Sequence, residues 1–256
     1  MTDAPEFTRT KRSSVGTTAV LTLASDKVNA LDTEVLAEIA TFVGICERDP
    51  GITALVVTGE GPVFSAGLNV TEVLAHDTGY TTELLDVLQD TLVRIFTCPI
   101  PTVVAVNGPA IAGGCLLACA FDRRLIADSA RIGVTELKVG VAFPTVAVEL
   151  LRHVCGHRAE QLMLDAGLLP AEEAVRVGLA HQSLPPAELL DAAMAAADAL
   201  ASLDSVAYAL AKASSRRAVL DAIDDEGGRT LDVEIRNHWQ AEGTRDNLAQ
   251  LLTPKG

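Results

Sequence analysis

Residues 101–122, PTVVAVNGPAIAGGCLLACAFD, form the stretch whose residue types and spacing are most typical of a reactive site. Thr102–Val106 is a β-branched run that predicts a buried strand, and the following NGP triplet breaks it at a turn. Ala112, Gly113 and Gly114 then lead into an apolar segment that predicts a buried helix. Unpaired backbone N–H groups at such a helix start can hold an anion or a developing oxyanion. The alternative is that the two glycines only permit close packing or a tight turn.

The segments that must position this stretch alternate between strand and helix patterns. Residues 17–23 and 52–58 have the apolar spacing of strands, and residues 81–97 have that of a helix. Asp32 is predicted to cap a helix that extends through Arg48. Shorter strands are predicted over residues 125–127, 131–134 and 180–184, and further helices over residues 146–154, 157–166, 171–177, 186–202, 204–220 and roughly 226–239. This order predicts an α/β fold with a βαβ-type core and a helical C-terminal region.

Three loops each follow a predicted strand, at residues 27–31, 65–70 and 108–114. In an open α/β arrangement, loops at the carboxyl ends of the strands gather around one crevice. These loops consist mostly of Gly, Ala and Ser, so the crevice offers backbone N–H groups in place of charged side chains. Such a crevice can hold a carbonyl oxygen through two amides. Its outer walls are expected to come from residues 71–95 and 141–148.

Composition excludes several classes of partner. The chain has 256 residues and a formal net charge of -14, so it lacks the basic stripe that nucleic acid or an anionic membrane requires. No apolar run reaches the ~18 residues of a membrane span. The N-terminal residues contain no apolar segment after their basic residues, so we expect no signal peptide and a cytoplasmic location.

Metal and nucleophile chemistry have no support in the spacing of the residues. The five cysteines form no CxxC pair, and the five histidines are scattered, which argues against a metal site or a Ser/His pair. Ser65 stands in FSAG and not in a GxSxG motif, so its expected role is to shape the backbone. Trp239 is interpreted as a core or subunit-interface residue.

Several motifs, in order and spacing, resemble the enoyl-CoA hydratase/isomerase superfamily, also called the crotonase superfamily. They are NALD at 29–32, FSAGLNV at 64–70, the segment 101–128, and TELKVGVAFP at 135–144. The resemblance extends from about residue 15 to about residue 250.

This resemblance implies a spiral of ββα units over residues 1–195, which would hold an acyl-CoA site. Residues 196–256 would form a helical C-terminal trimerisation region, and the protein would be a homotrimer or a dimer of trimers. Coenzyme A would arrive as part of the thioester substrate, and the resemblance implies no separate cofactor and no metal.

The resemblance also implies where the substrate binds. By motif position, the backbone amides of Leu68 and Gly113 would form the oxyanion hole. The backbone around Val28, Ala30 and Ala66 would line the path of the adenine and pantetheine. The remaining residues expected to contact substrate are Gly67, Asn69, Gly114 and Leu116. Asn69 stands where the family usually has Asp, a change expected to affect loop stability or substrate fit.

The carboxylates decide which reaction is expected. Hydratases of this superfamily carry two glutamates that position a water, but here the first of those positions is Leu116 and only the second, Glu136, is acidic. One carboxylate suffices to take a proton from C2 of a 3-enoyl thioester and to return it to C4 of the resulting enolate, which shifts the double bond from Δ3 to Δ2. Burial against an acyl pocket should then raise the pKa of Glu136. Taken alone, Glu136 would be interpreted as a surface acid in a turn, and its spacing from Leu116 and the glycine pair favours the catalytic role instead.

The sequence around these positions is similar to that of the mitochondrial-type Δ3,Δ2-enoyl-CoA isomerase branch. The similar segments are AGGCLLA, SAGL and residues 156–185. Two alternatives stay open. The chain could be a non-catalytic acyl-CoA binder, or a hydratase that recruits an acid from residues 76–82. The basic pairs at 123–124 and 216–217 are interpreted as solvated or salt-bridged surface, although one could meet a CoA phosphate.

Overall fold

A computed structural model describes residues 7–253 and contains nine strands in two sheets within that range. Six strands form the main sheet in the order β1-β2-β3-β4-β6-β9, and three form a small second sheet in the order β5-β7-β8. Their bounds are β1 Thr10–Val15, β2 Thr18–Leu23, β3 Ala54–Gly59, β4 Thr102–Val106, β5 Ala110–Ile111, β6 Arg123–Ala127, β7 Arg131–Gly133, β8 Leu169–Pro170 and β9 Gln182–Leu184.

Eleven α-helices cover most of the remaining chain between residues 7 and 253. Two short 3-10 helices, Glu136–Val139 and Gly156–Arg158, lie between them. The α-helices are α1 Thr33–Arg48, α2 Val70–Ala75, α3 Thr78–Thr97, α4 Gly113–Cys119, α5 Thr145–Cys155, α6 Ala159–Asp165, α7 Ala171–Val177, α8 Pro186–Ala201, α9 Ser205–Asp224, α10 Glu226–Gln240 and α11 Glu242–Leu252.

The main sheet is parallel except at its edge, where β1 pairs antiparallel with β2. Its central strand β4 is buried at every residue, because TVVAV has apolar or β-branched side chains on both faces. Strands of the main sheet alternate along the chain with those of the small sheet and with helices, which confirms the expected α/β spiral of ββα units. The carboxyl ends of β2, β3 and β4 therefore bring the loops at residues 27–31, 65–70 and 108–114 to the same edge of the sheet.

Local sequence signals explain the elements that were predicted and those that were not. Asp32 caps α1 as expected, with its Oδ1 accepting a hydrogen bond from the Val35 amide at 2.9 Å. β1, β5, β8, α2 and α11 were not predicted from the sequence. β1 is a polar edge strand that buries only Thr10, so it carries no apolar alternation. α2 has six residues, too few to show helical periodicity.

The interpretation of the two basic pairs as surface is wrong for one member of each. The Arg124 guanidinium is buried and donates to the carbonyl oxygens of Phe121, Leu179 and Gly178. The Arg216 guanidinium is buried as well, and it pairs with Asp122 at 2.6 Å. Neither group is therefore placed to meet a CoA phosphate.

The C-terminal helices pack onto the rest of the chain. α8 lies against strands of the main sheet, and α9 is joined to the β4 to β6 connection through Asp122. The division predicted between residues 195 and 196 falls within α8, whereas the helical break lies at residues 202–204. The role of residues 196–256 in trimer formation stays a prediction.

Over residues 7–253, no single helix is long and apolar enough to cross a membrane, although Pro186–Ala201 and Ser205–Asp224, bent by 103°, meet the length and composition criteria as a pair.

Candidate active site

A cavity of about 220 Å³ lies where the loop after β3 meets the N-terminus of α4 and the first 3-10 helix. Ala66 and Leu68 reach it from the loop after β3, and Gly113 and Leu116 reach it from α4. Glu136 enters from the 3-10 helix. The structure thus brings together five residues that the sequence analysis assigned to one site.

Two backbone amides in the cavity wall have no hydrogen-bond acceptor within residues 7–253. Leu31 donates its amide to Gly67 O at 2.8 Å and accepts from the Asn69 amide at 2.8 Å, so the intervening Leu68 N–H faces the other way. Gly113 is the first residue of α4, so its N–H has no partner inside the helix. A Cβ placed on Gly113 would lie 3.4 Å from Leu68 N, which shows that the two amides are neighbours.

Unusual backbone conformations hold both amides in place. Ala112, which precedes Gly113, has φ +51° and donates its amide to Gly133 O at 2.9 Å. A positive φ at alanine costs about 1–3 kcal/mol, so the surrounding contacts must impose it. Gly67, which precedes Leu68, has φ +91°, and a Cβ there would meet Ile111 O at 2.8 Å. Only glycine fits that position.

Ser65 shapes this backbone, as expected. Its hydroxyl donates to Asn29 O at 2.8 Å and accepts from the Gly67 amide at 3.2 Å, which joins two of the three loops. Gly114 packs against the same residue: a Cβ on Gly114 would lie 2.5 Å from Ser65 O. The close-packing explanation therefore applies to Gly114, whereas a Cβ on Gly113 would make only ordinary contacts.

Glu136 is the one ionisable residue among the described residues that line the cavity. It is 8% exposed, and its Oε2 atom has no hydrogen-bond partner within residues 7–253. Desolvation by burial raises its pKa to about 7, against smaller opposing contributions from backbone hydrogen bonds at Glu136 and Thr135. The shift has the direction expected from the sequence. A carboxyl group of this kind exchanges protons readily near neutral pH.

The structure supplies no second acid to this cavity from the described residues. Leu116, at the position of the first hydratase glutamate, is buried in the wall. Asp77, in the acidic segment considered as a substitute, caps α3 by accepting from the Tyr80 amide at 3.2 Å and does not line the cavity. The alternative of a hydratase with an acid from residues 76–82 therefore has no carboxyl group in place.

The other predicted substrate-binding residues lie beside the cavity and not in its wall. Val28 is exposed, and its carbonyl oxygen accepts the Ala66 amide at 2.9 Å. The Val28 and Ala30 amides both donate to Asp26 Oδ1, at 2.8 and 3.2 Å. Asn69 caps α2 by accepting from the Glu72 amide at 3.3 Å. Asn69 thus supports the end of its loop by capping the helix that follows.

The outer walls were predicted only in part. Leu85 and Leu88 lie in the predicted range 71–95, and Val141 and Pro144 lie in the range 141–148. The contribution of α10 and α11 was not predicted, namely Trp239, Leu248 and Leu251. Trp239 is buried, in agreement with its interpretation as a core residue, but nothing in its local sequence connects it to residues about 100 positions earlier.

Comparisons with known proteins agree with this geometry. Residues 14–247 match the family model described as enoyl-CoA hydratase/isomerase. A protein of Thermus thermophilus named putative enoyl-CoA hydratase is 38% identical over 182 residues, which cover 69% of this chain and 71% of that protein. The human mitochondrial enoyl-CoA delta isomerase 1 is 32% identical over 204 residues, which cover 78% of this chain and 68% of that protein.

The crystal structure of human mitochondrial Δ3-Δ2-enoyl-CoA isomerase superimposes with a TM-score of 0.90 at 27% identity, over 96% of this chain and 97% of that one. Such agreement over nearly the whole length makes the fold that of the crotonase superfamily. Within that superfamily, the chain belongs to the enoyl-CoA hydratase/isomerase family as one of its enzymes. The resemblance inferred from the motifs is confirmed, including its similarity to the isomerase branch.

Proposed function

We propose that the protein is a Δ3,Δ2-enoyl-CoA isomerase that uses Glu136 as its only acid–base group. The observation that carries the proposal is a single carboxyl group, without a hydrogen-bond partner at Oε2, in a cavity whose other described side chains are almost all apolar. Leu68 and Gly113, whose amides are neighbours, line the same cavity. Two amides and one carboxylate are the groups that an enolate-based double-bond shift requires.

The proposed reaction balances with these groups alone. The thioester oxygen accepts hydrogen bonds from the Leu68 and Gly113 amides, which stabilise the negative charge of an enolate. Ionised Glu136 removes a proton from C2, and the C–H electron pair forms the C1–C2 double bond of the enolate. Protonated Glu136 then returns that proton to C4 as the double bond moves from C3–C4 to C2–C3. No water, oxidant or metal takes part in this sequence.

The raised pKa of Glu136 suits a group that must both take and return a proton. With a pKa of about 7, both protonation states are populated near neutral pH. An ordinary glutamate would be a weaker base toward the C2 proton. The shift arises from burial among apolar residues, which is also what excludes bulk water from the enolate.

Hydration of a 2-enoyl thioester is the second candidate, because the relative from Thermus thermophilus is named as a putative hydratase. Water addition needs a water held between two acid–base groups, and the position of the first is the apolar Leu116. A non-catalytic acyl-CoA binder is the third candidate. It would keep the crevice but would not depend on Glu136.

A side-by-side assay of 3-enoyl and 2-enoyl thioesters tests the proposal. We expect turnover of the 3-enoyl substrate, with water addition to the 2-enoyl substrate at least 100-fold slower. Faster hydration than isomerisation would replace the proposal with the hydratase alternative. Turnover of neither substrate, with CoA esters still bound, would favour the binder.

Two glycine-to-alanine variants test whether the two amides bind the thioester oxygen. Gly113→Ala adds a methyl group 3.4 Å from Leu68 N, where the thioester oxygen would bind, so we expect a loss of isomerase rate of about 10–100-fold with little change in thermal stability. Gly243→Ala in α11 is the control, because a Cβ there meets nothing within 4 Å. Equal rates for both variants would contradict the role of Gly113.

The remaining expectations about the substrate path and the assembly are also proposals. The backbone around Val28, Ala30 and Ala66 would guide the adenine and pantetheine, and CoA would serve only as part of the substrate. We propose a homotrimer or a dimer of trimers in the cytoplasm. Light scattering of the purified protein tests the assembly, and a monomer at assay concentration would contradict it.

A further inference from the structure

Part of the cavity wall is buried from solvent. It includes Leu85 and Leu88 from α3 and Trp239 from α10, which are 3%, 2% and 6% exposed. Leu251, in the same cavity, is 52% exposed and so lies at its open side. The charged nucleotide of an acyl-CoA must stay at the solvent side, because burying its phosphates would be prohibitive. The acyl tail must then extend away from Leu251, toward the buried part of the wall.

The Trp239 ring is fixed in this wall. Its Nε1 donates to Ala142 O at 2.9 Å, so the only polar atom of the indole is satisfied and the ring presents apolar atoms. The two adjacent side chains fasten the same turn of α10: His238 Nε2 donates to Gly140 O at 2.8 Å, and Gln240 Nε2 donates to Thr82 Oγ1 at 2.7 Å. Three consecutive residues thus hold α10 against the segment after Glu136 and against α3.

We propose that Trp239 is a specificity-determining residue that ends the acyl compartment and limits the substrate to unsubstituted hydrocarbon chains up to the length that reaches its ring. This inference rests on the proposed function, whose substrate it narrows. A hydroxyl or carboxyl group on the tail would lose its hydration at this end without a partner, because Leu85, Leu88 and the ring offer none. A longer tail would meet a bulky side chain that its hydrogen bond prevents from turning aside.

The fluorescence of the wild-type protein tests the contact directly, because Trp239 is the only tryptophan of the chain. We would titrate the protein with free CoA and with saturated straight-chain acyl-CoA esters of increasing length, which have no double bond to shift. We expect free CoA and the shortest esters to leave the emission maximum unchanged, and longer esters to shift it. The same shift for every ligand, or no shift for any, would overturn the inference.

Chain-length profiles of kcat/KM test the consequence. Trp239→Phe shortens the wall, so we expect its preference among 3-enoyl thioesters to move toward longer chains, with at least a tenfold gain for chains beyond the wild-type limit relative to the wild-type optimum. Phe42→Leu, a truncation of a buried aromatic residue of α1 outside the cavity, is the matched control and should keep the wild-type profile.

The outcomes separate this inference from the proposed function. If wild-type protein turns over no 3-enoyl thioester, the proposed function fails, and the fluorescence titration still decides whether the tail reaches Trp239. If the wild type is active and Trp239→Phe keeps its chain-length profile, only the inference fails.

Discussion

Two nearly buried carboxyl groups of this molecule have opposite surroundings. Asp122, whose side chain is 10% exposed, accepts hydrogen bonds from Lys212, Arg216 and Tyr208 at 2.7, 2.6 and 2.8 Å, and one from the Thr102 amide. Glu136 is buried to a similar degree, but its Oε2 has no partner in the described part of the chain. The first group is surrounded by cations and donors, and the second by apolar side chains.

These surroundings shift the pKa values of the two carboxyl groups in opposite directions. Burial alone would raise the pKa of both groups, but the charges of Lys212 and Arg216 outweigh it at Asp122 and lower that pKa. At Glu136, burial dominates and the pKa rises to about 7. Asp122 therefore stabilises the docking of α9, whereas the ionisation of Glu136 costs stability that the fold must supply elsewhere. A buried carboxyl group without a hydrogen-bond partner therefore indicates a catalytic site better than burial alone does.

The largest expected effect comes from removing the charge of Glu136. Glu136→Gln keeps the size of the side chain but cannot take a proton, so we expect kcat for isomerisation to fall by about 10³–10⁴-fold. Binding of a saturated acyl-CoA should survive. The exposed Glu160→Gln is the control and should keep wild-type turnover. A loss below tenfold for Glu136→Gln would remove the contrast on which the functional proposal depends.

Removing the charge of Asp122 should have the converse result. Asp122→Asn leaves Lys212 and Arg216 nearly buried without a counter-charge, so we expect a loss of about 3–5 kcal/mol in the free energy of unfolding, measured by urea denaturation at pH 7. Turnover per folded molecule should change little. Asp86→Asn is the matched control, because its half-exposed pair with Arg236 is worth about 1 kcal/mol or less.

Much of this contrast between Asp122 and Glu136 could not be predicted from the sequence. The strand Thr102–Val106 and the Asp32 cap are local signals, so they could be predicted directly. Glu136 could be identified from its motif. Its isolation from other polar groups could not be predicted, because that isolation depends on every segment that lines the cavity. The burial of Arg216 follows from an aspartate 94 residues earlier, which no local pattern reveals.

The position of Trp239 in the cavity wall was hidden for the same reason. Its hydrogen-bond partner, Ala142, lies 97 residues earlier in the chain. Helix α11, which supplies Leu248, is an 11-residue segment that the sequence analysis did not separate from a loop. Contacts between distant segments are set by tertiary packing, so a single sequence predicts the loops of the site better than its outer walls.

The two groups should also make opposite contributions to the pH dependence of stability. The pKa of Glu136 is raised in the folded state, so its ionisation destabilises the fold as pH rises from 4.5 to about 7. At about 1.4 kcal/mol per pH unit, the penalty reaches about 3 kcal/mol above pH 7. We expect Glu136→Gln to exceed the wild type by that amount at pH 8 and to match it at pH 4. The pKa of Asp122 is lowered, so its stabilisation should be lost only in acid. Urea titrations at several pH values measure both differences.

The rate of isomerisation should report the same titration of Glu136. The base must be ionised to remove the C2 proton, so kcat/KM should rise with pH and level off above about 7. With that pKa, the rate at pH 5 should be about 100-fold below the plateau. Asp122→Asn should keep this profile, because Asp122 does not line the cavity. A profile that is flat between pH 5 and 8 would contradict the role of Glu136.

The smallest change tests whether the partners of Asp122 act one by one. Tyr208→Phe removes the 2.8 Å hydrogen bond to Asp122 Oδ2 but leaves both cations and the Thr102 amide in place. No charge loses its counter-charge, so we expect a loss of only about 1.5–3 kcal/mol in the free energy of unfolding, the usual range for one hydrogen bond to a charged acceptor. Tyr80→Phe, at the other tyrosine of the chain, is the control, since its hydroxyl contacts Thr33 and not a carboxylate. A loss for Tyr208→Phe as large as that for Asp122→Asn would mean that the partners of Asp122 form a cooperative network. No separate stabilisation energy could then be assigned to each hydrogen bond.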